Sequence, residues 1–321
     1  MLFSAPSESG ENRQQLLLAN EVFDTSGETT TKICCMPDGC DRFSLLPDDH
    51  FAASRSFGSM LSVYKIVPGS TVRVASLKLP PDSVGSISMS SNITSLSSGP
   101  ESNDLLVVCG ANVFLLKVNG LHDDGASVSI STTKHFATSE LQRTVMVAPS
   151  ALRMDELQAE LCTHGLKKSG SKAELMARAL AEIPGATGGC IPQVQKLIPS
   201  SGGYGSFSVG SALLWQSATS ANPVAILGSV STLVFVELGD SVTVKQVVDT
   251  GCGGPNELAI WHPSNGSGPR LVCGGQANGI SVLALENNAA VLERTWHTYA
   301  NYIRICIRYT YAYVCKLHAT H

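Results

Sequence analysis

The sequence predicts a mainly β protein assembled from repeated four-stranded units, with one small helix-turn-helix unit inserted between two of them. Three observations predict it. An apolar hairpin pattern recurs four times, its flanking segments recur with it, and one stretch, GLKKSGSKAELMARAL (165–180), holds helix formers in a chain otherwise written as short strands. At 321 residues, 43% of them hydrophobic, the chain is long enough to bury the core of one large domain or two smaller ones.

The hairpins are FAASRSFGSMLSVYKI (51–66), LLVVCGANVFLLKV (105–118), VAILGSVSTLVFVEL (224–238) and LVCGGQANGISVLAL (271–285). Each is a short apolar run, a turn rich in Gly, Ser or Asn, and a second apolar run, which is how a β-hairpin is written. A short apolar segment precedes each one, at 43–46, 93–96, 212–215 and 258–261. An alternating segment follows each: STVRVASLKL, SVSISTTKHF, SVTVKQVVDT and AVLERTW. That makes four strands per unit.

The first two hairpins end 52 residues apart and the last two 47 apart. Four-stranded units of this length cannot cover their own faces and stack on neighbours around an axis, as propeller blades do. Evenly spaced short strands also fit a β-sandwich. With Ser150–Ile183 set aside, two blade lengths remain between Val118 and Leu238. The helical unit therefore reads as an insertion that disrupts a degenerate fifth blade. Leu16–Leu18 are a candidate strand for closing the ring beside the last blade.

The last unit, LAIWHPSNGSGPRLVCGGQANGISVLAL, places Trp261, His262 and Pro263 before a loop and Gly274 and Gly275 before a turn. In this it resembles a WD40 blade. Leu283 and Ala284 stand where that family has Trp-Asp, and the other units match less well, so the resemblance is to a degenerate WD40-like β-propeller. The expected organisation is an N-terminal tail (1–30), blades (31–148), a helical unit (149–184), a linker (185–204), further blades (205–298) and an atypical tail (299–321). That last tail holds five of the seven tyrosines. It reads either as an edge strand of alternating Ile and Arg or as a segment foreign to the fold, and no function is drawn from it.

Composition narrows the function. Charged residues are 15% of the chain and the net charge is -4, so any binding to nucleic acid or an anionic membrane rests on a local patch. No stretch approaches the apolar length of a membrane span, and the expectation is no membrane partner. The start of the chain lacks the basic region and apolar run of a secretory signal, so the ten cysteines are expected to be reduced thiols. Cys34, Cys35 and Cys40, with His50, are the candidates for a metal cluster. They lack the second ligand pair a zinc site needs, and no metal site and no cofactor are expected. There is no P-loop, nucleophile elbow or dinucleotide fingerprint; GGYGSFSVGS (202–211) lacks the Lys-Ser/Thr of a phosphate loop. The expectation is a protein that is not an enzyme.

The insert, SALRMDELQAELCTHGLKKSGSKAELMARALAEI (150–183), reads as two helices and a turn. Met154, Leu157 and Leu161 share one face of a first helix, and Gly165 ends it as the left-handed residue. Ser171 and Glu174 form a capping box for a second. Leu175, Ala179 and Ile183 give that helix its apolar face, with Leu180 beside it. Glu174 and Arg178 are an i, i+4 pair on its exposed side, and Pro184-Gly185 stops it.

These residues resemble the SAP motif of chromatin-associated and RNA-processing proteins. The match runs through Leu157, Leu161, Gly165, Leu166, Gly170, Lys172, Leu175, Arg178 and Leu180. Arg153 departs from it, standing where a small hydroxyl residue caps the first helix, which leaves Ser150 as a less ideal cap. The insert is neutral, with five basic and five acidic residues. Its charges are segregated: three of the acids lie on the first helix, while Lys167, Lys168, Lys172 and Arg178 cluster in the turn and second helix against Glu174. The N–H groups that open the second helix add a partial positive charge suited to a phosphate.

The resemblance implies Lys167, Lys168, Gly170, Ser171, Lys172 and Arg178 as a contact set for the backbone and minor groove of AT-rich DNA, or for RNA. With so few phosphate contacts, affinity is expected to be weak and salt-sensitive. The expected function is a nuclear, non-catalytic adaptor whose propeller binds proteins while the insert touches nucleic acid. The alternative is a WD-repeat structural scaffold, such as a nuclear-pore-type subunit, whose insert binds protein.

Overall fold

The structure is a computed structural model. It describes residues 2–6, 12–18, 21–24, 31–35, 37, 40–55, 58–80, 92–99, 103–122, 127–198, 209–217, 220–252, 255–263, 266–275, 279–286 and 289–297. Up to residue 35 it describes strands and their pairing. The atypical tail 299–321 lies outside the described residues, as does most of the expected linker 185–204 beyond residue 198.

The chain divides into two compact units, one of residues 1–138 and 198–321 and one of residues 139–197. The larger unit is mainly β, with five four-stranded antiparallel sheets. In chain order they are β1 (Leu2–Pro6), β2 (Asn12–Leu18), β3 (Glu21–Asp24) and β4 (Thr31–Cys35); β5 (Cys40–Leu46), β6 (His50–Arg55), β7 (Met60–Val67) and β8 (Ser70–Lys78); and β9 (Ile93–Ser98), β10 (Asp104–Cys109), β11 (Asn112–Asn119) and β12 (Ser129–Ala137). The smaller unit then follows, holding β13 (Gln142–Val147), α1 (Met154–Thr163), α2 (Lys172–Glu182) and β14 (Ile191–Lys196). The last two sheets are β15 (Ser211–Trp215), β16 (Val224–Ser229), β17 (Thr232–Leu238) and β18 (Val242–Asp249), then β19 (Pro255–Trp261), β20 (Arg270–Gly275), β21 (Gly279–Glu286) and β22 (Ala289–His297).

In every sheet the strands neighbour one another in chain order, and among the described residues none closes into a barrel. The four hairpins read from sequence are β6–β7, β10–β11, β16–β17 and β20–β21. A further regularity was not visible in the sequence. In all five sheets the register shifts by a residue between the third and fourth strands, at Val22/Phe23, Val63/Tyr64, Leu115/Leu116, Phe235/Val236 and Val282/Leu283. Such a bulge increases local twist, and it recurs at the same place in each sheet.

The N-terminal residues are the main departure from expectation. Instead of a tail, 2–35 hold the first of the five four-stranded sheets, and Leu16–Leu18 pair with β1 and β3 inside it. Its apolar residues fall in runs of two or three, such as LF, LLL and VF, so the longer paired apolar runs that reveal the other four hairpins are missing. Nor does a broken fifth blade surround the insert: its flanks form the two-stranded ribbon β13–β14.

Burial explains the sequence patterns. The middle strands β10 and β16 are buried almost throughout, because both of their faces are covered, and such strands read as continuous apolar runs. The last strands, β8 and β18, mix exposed and half-buried residues and read as alternating. One core joins the second and third sheets through Leu61, Val63, Leu105, Val107, Phe114 and Leu116. Another joins the last two through Trp215, Ile226, Phe235, Leu271 and Leu283.

The first strands of successive sheets lie side by side: β1 by β5, β5 by β9, β9 by β15, and β15 by β19. Serines stitch these edges. The Ser98 N–H donates to Ser44 Oγ at 2.7 Å, and the Ala212 N–H donates to Ser95 Oγ at 2.8 Å. Leu214 N–H donates to Ser97 Oγ at 3.2 Å. The hydroxyls supply the partners that edge amides would otherwise lack.

Of the candidate metal ligands, Cys40 and His50 are buried in the second sheet, and burial lowers the His50 pKa. The side chains of Cys34 and Cys35 lie outside the described residues. No group of three or more metal-binding side chains gathers among the described residues. Among them, too, no helix is long and apolar enough to cross a membrane.

Candidate nucleic-acid interface

The smaller unit extends beyond the stretch 149–184, because β13 and β14 pair across the base of the helices, from Gln142 opposite Lys196 to Val147 opposite Ile191. Its core is Leu152, Leu157, Leu161, Leu175, Ala179, Ile183 and Ile191, with Val147 and Leu166 packed against them. The two helix faces bury each other as their periodicity requires. Met154 differs: at the first turn of α1 it is 40% exposed, and Ile191 from the ribbon is instead fully buried in the core. Sequence reasoning missed Ile191 and its strand, whose signal was the weak alternation in QRTVMV and IPQVQK.

The turn between the helices is fixed from both ends. Gly165, at φ +70°, ends α1. The Leu166 N–H donates to the Leu161 carbonyl and the Gly165 N–H to the Cys162 carbonyl, which is the Schellman arrangement. At the other end Ser171 caps α2. Its Oγ accepts from the Glu174 N–H, and the Glu174 carboxylate accepts the Ser171 N–H at 2.8 Å and the Ser171 hydroxyl at 3.1 Å. These bonds hold the Glu174 pKa below its ordinary value. Gly170 sits at φ +136°, and a Cβ there would stand 2.8 Å from the Glu174 carboxylate.

Arg178 does not pair with Glu174 as the i, i+4 spacing suggested. The carboxylate is folded back onto the cap, and the Arg178 guanidinium donates to the backbone carbonyls of Lys167 and Ser169. It spans the turn and holds it against α2. Lys172 is also engaged, donating to the Ser150 carbonyl at 3.2 Å. Ser150 thus anchors Lys172 and is not the cap of α1. That cap is Arg153, whose N–H the Glu156 carboxylate accepts at 2.8 Å. The guanidinium has no oxygen with which to complete a capping box.

The segregation of charge is sharper than the count suggests. The acids of α1 have partners: Asp155 and Glu156 with Arg153, and Glu160 with His164 and Gln193. Lys167 and Lys168 are exposed, and among the described residues no carboxylate lies within ion-pair distance of either. The structure therefore gathers Lys167, Lys168, Gly170, Ser171 and Lys172 on one rigid turn, with Arg178 behind it. The arrangement offers an anion the ammonium groups of Lys167 and Lys168, while the Ser171 and Glu174 N–H groups at the start of α2 are taken by the capping bonds.

With this geometry in view, the SAP domain family model matches residues 148–183, a match that suggests nucleic-acid binding. No curated protein matches the chain by sequence. Among solved structures, a crystal structure of a protein from Lactobacillus plantarum is similar at 12% identity and a TM-score of 0.43, covering 89% of this chain and 81% of that one.

Proposed function

We propose that the unit of residues 139–197 binds nucleic acid, AT-rich duplex DNA or RNA, through the turn that carries Lys167, Lys168, Gly170, Ser171 and Lys172. The observation that carries this reading is a pair of exposed lysines, without an ion-pair partner among the described residues, on a turn held at both ends. Arg178 serves by fixing that turn. The five sheets serve as a WD40-like propeller that binds protein partners, making the whole chain a non-catalytic nuclear adaptor. Their shared bulge and side-by-side first strands support that reading.

Salt dependence of binding tests it. The log of the binding constant should fall linearly with log salt, by about 0.9 per phosphate contacted. Lys167→Ala and Lys168→Ala should each weaken binding and flatten the slope by about one unit. Arg178→Ala should weaken binding with the slope kept, because its charge faces backbone carbonyls. A double lysine variant that binds like the parent at the same slope would remove this turn from the interface. In that event the second reading takes over, a WD-repeat scaffold of nuclear-pore type whose insert binds protein. The exposed Met146, Met154, Leu180 and Val194 of the same unit favour it.

A further inference from the structure

Away from the helical unit, the last two sheets enclose a cluster of buried polar side chains that neither the repeat nor the proposed interface requires. Thr250, Cys252, Cys273 and Ser281 are all fully buried. The turn after β18 brings Cys252 Sγ to 3.8 Å from Cys273 Sγ on β20. Cys252 also lies 3.1 Å from Thr250 Oγ1. The Thr250 hydroxyl donates to the Ser231 carbonyl at 3.0 Å, and Ser281 Oγ donates to the Thr250 carbonyl at 2.6 Å. Thr295 Oγ1 completes the network, 3.0 Å from Ser281 Oγ.

The turn is seated without slack. A Cβ on Gly275 would fall on the Cys252 carbonyl, and one on Gly279 would stand 2.9 Å from Cys252 Cα. Glycine at both positions is what allows the backbone of the turn to come this close to β20 and β21. The two sulfurs are thereby held side by side.

We propose that Cys252 and Cys273 form a modification site, which a hydroperoxide oxidises to an internal disulfide. The hydrogen bonds assign the roles. As a thiol, Cys252 donates its S–H to Thr250 Oγ1, whose own proton goes to the Ser231 carbonyl; as a thiolate it gives up that bond and keeps the one it accepts from the Cys273 S–H. That bond favours the thiolate at Cys252 and holds Cys273 protonated. Cys252 is the attacking sulfur. Its thiolate displaces hydroxide from hydrogen peroxide, breaking the O–O bond and leaving a sulfenic acid. The Cys273 sulfur then attacks the Cys252 sulfur. The S–S bond forms, the S–O bond breaks, and the departing hydroxide takes the Cys273 proton. Two thiols lose two electrons, and one peroxide becomes two waters. Both thiols are fully buried, so entry of peroxide and closing from 3.8 Å to a disulfide length of about 2.05 Å require a transient opening of the turn as well as side-chain rotation. The product ties the turn after β18 to the second strand of the next sheet, locking the fourth sheet to the fifth.

Peptide mapping of the full chain tests this, with folded protein exposed to hydrogen peroxide, quenched by an alkylating agent in denaturant, and digested without reductant. The expected product is one linked peptide pair carrying Cys252 and Cys273, lighter by two hydrogens and separated again by a dithiol. The oxidised protein should melt several degrees higher than the reduced one. Cys252→Ser, which keeps size and hydrogen bonding, should leave Cys273 alkylatable after peroxide. The wild-type map is decisive whether or not that variant folds. Both thiols alkylated after peroxide, a sulfinic acid at either without linkage, or linkage only in denatured protein would each overturn the proposal.

Discussion

At the scale of single residues, backbone and carboxylate geometry give two tests. Val230 turns the β16–β17 hairpin at φ +40° and is exposed. A β-branched residue is strained in that region. The matching hairpin β10–β11 places Gly110 there, at φ +61°. Val230→Gly should therefore stabilise the larger unit by about 1 kcal/mol, read as a raised midpoint in denaturant. Glu174 gives a pH test. Its folded pKa is lowered, so the stability it contributes is present above the ordinary carboxylate value and lost as pH falls through the lowered one. The stability gap between wild type and Glu174→Gln in the isolated unit should be open at neutral pH and close in acid. A gap that persists at the lowest pH would show that the charge is not what caps the helix.

At the scale of elements, the ribbon β13–β14 decides how much chain the helices need. Ile191 contributes a fully buried side chain to their core. A fragment of residues 139–197 should fold with a sharper thermal transition than one of residues 148–186, which lacks both strands. Ile191→Ala should cost the longer fragment about 2–5 kcal/mol, as for other large buried aliphatic side chains, and bring it toward the shorter one, which ends before residue 191. Equal stability of the two fragments would make the ribbon an ornament. The helices themselves were legible, since the spacing of Leu157, Leu161, Leu175, Ala179 and Ile183 is local information. Ile191 was not, because its burial depends on a strand pairing with residues more than forty positions away.

At the scale of the whole molecule, every strand of the five sheets pairs within its own sheet, and the smaller unit has a core of its own. Replacing 139–197 by a short Gly/Ser linker should therefore leave the strand signal and its thermal transition nearly unchanged, since a connection of different length alters little beyond loop-closure entropy. Circular dichroism of the excised protein checks this. Loss of the cooperative transition would mean that the sheets depend on the insert. The four middle hairpins announced themselves because strands covered on both faces must be apolar, whatever their partners. The first sheet did not, because its residues 2–35 carry no repeated apolar run.

What could be read from the chain alone is thus what depends on neighbours in sequence: the repeated hairpins, the helix faces, the glycine that ends α1 and the serine that caps α2. Folding in three dimensions assigned the partners. It turned Arg178 from Glu174 to the carbonyls of Lys167 and Ser169, drew Lys172 to Ser150, and left Lys167 and Lys168 exposed, with no ion-pair partner among the described residues. It also set Cys252 against Cys273 across 21 residues of chain. Spacing dictates which groups share a face of a helix or strand. Hydrogen-bond competition and burial, which act between segments distant in sequence, select the contacts those groups make.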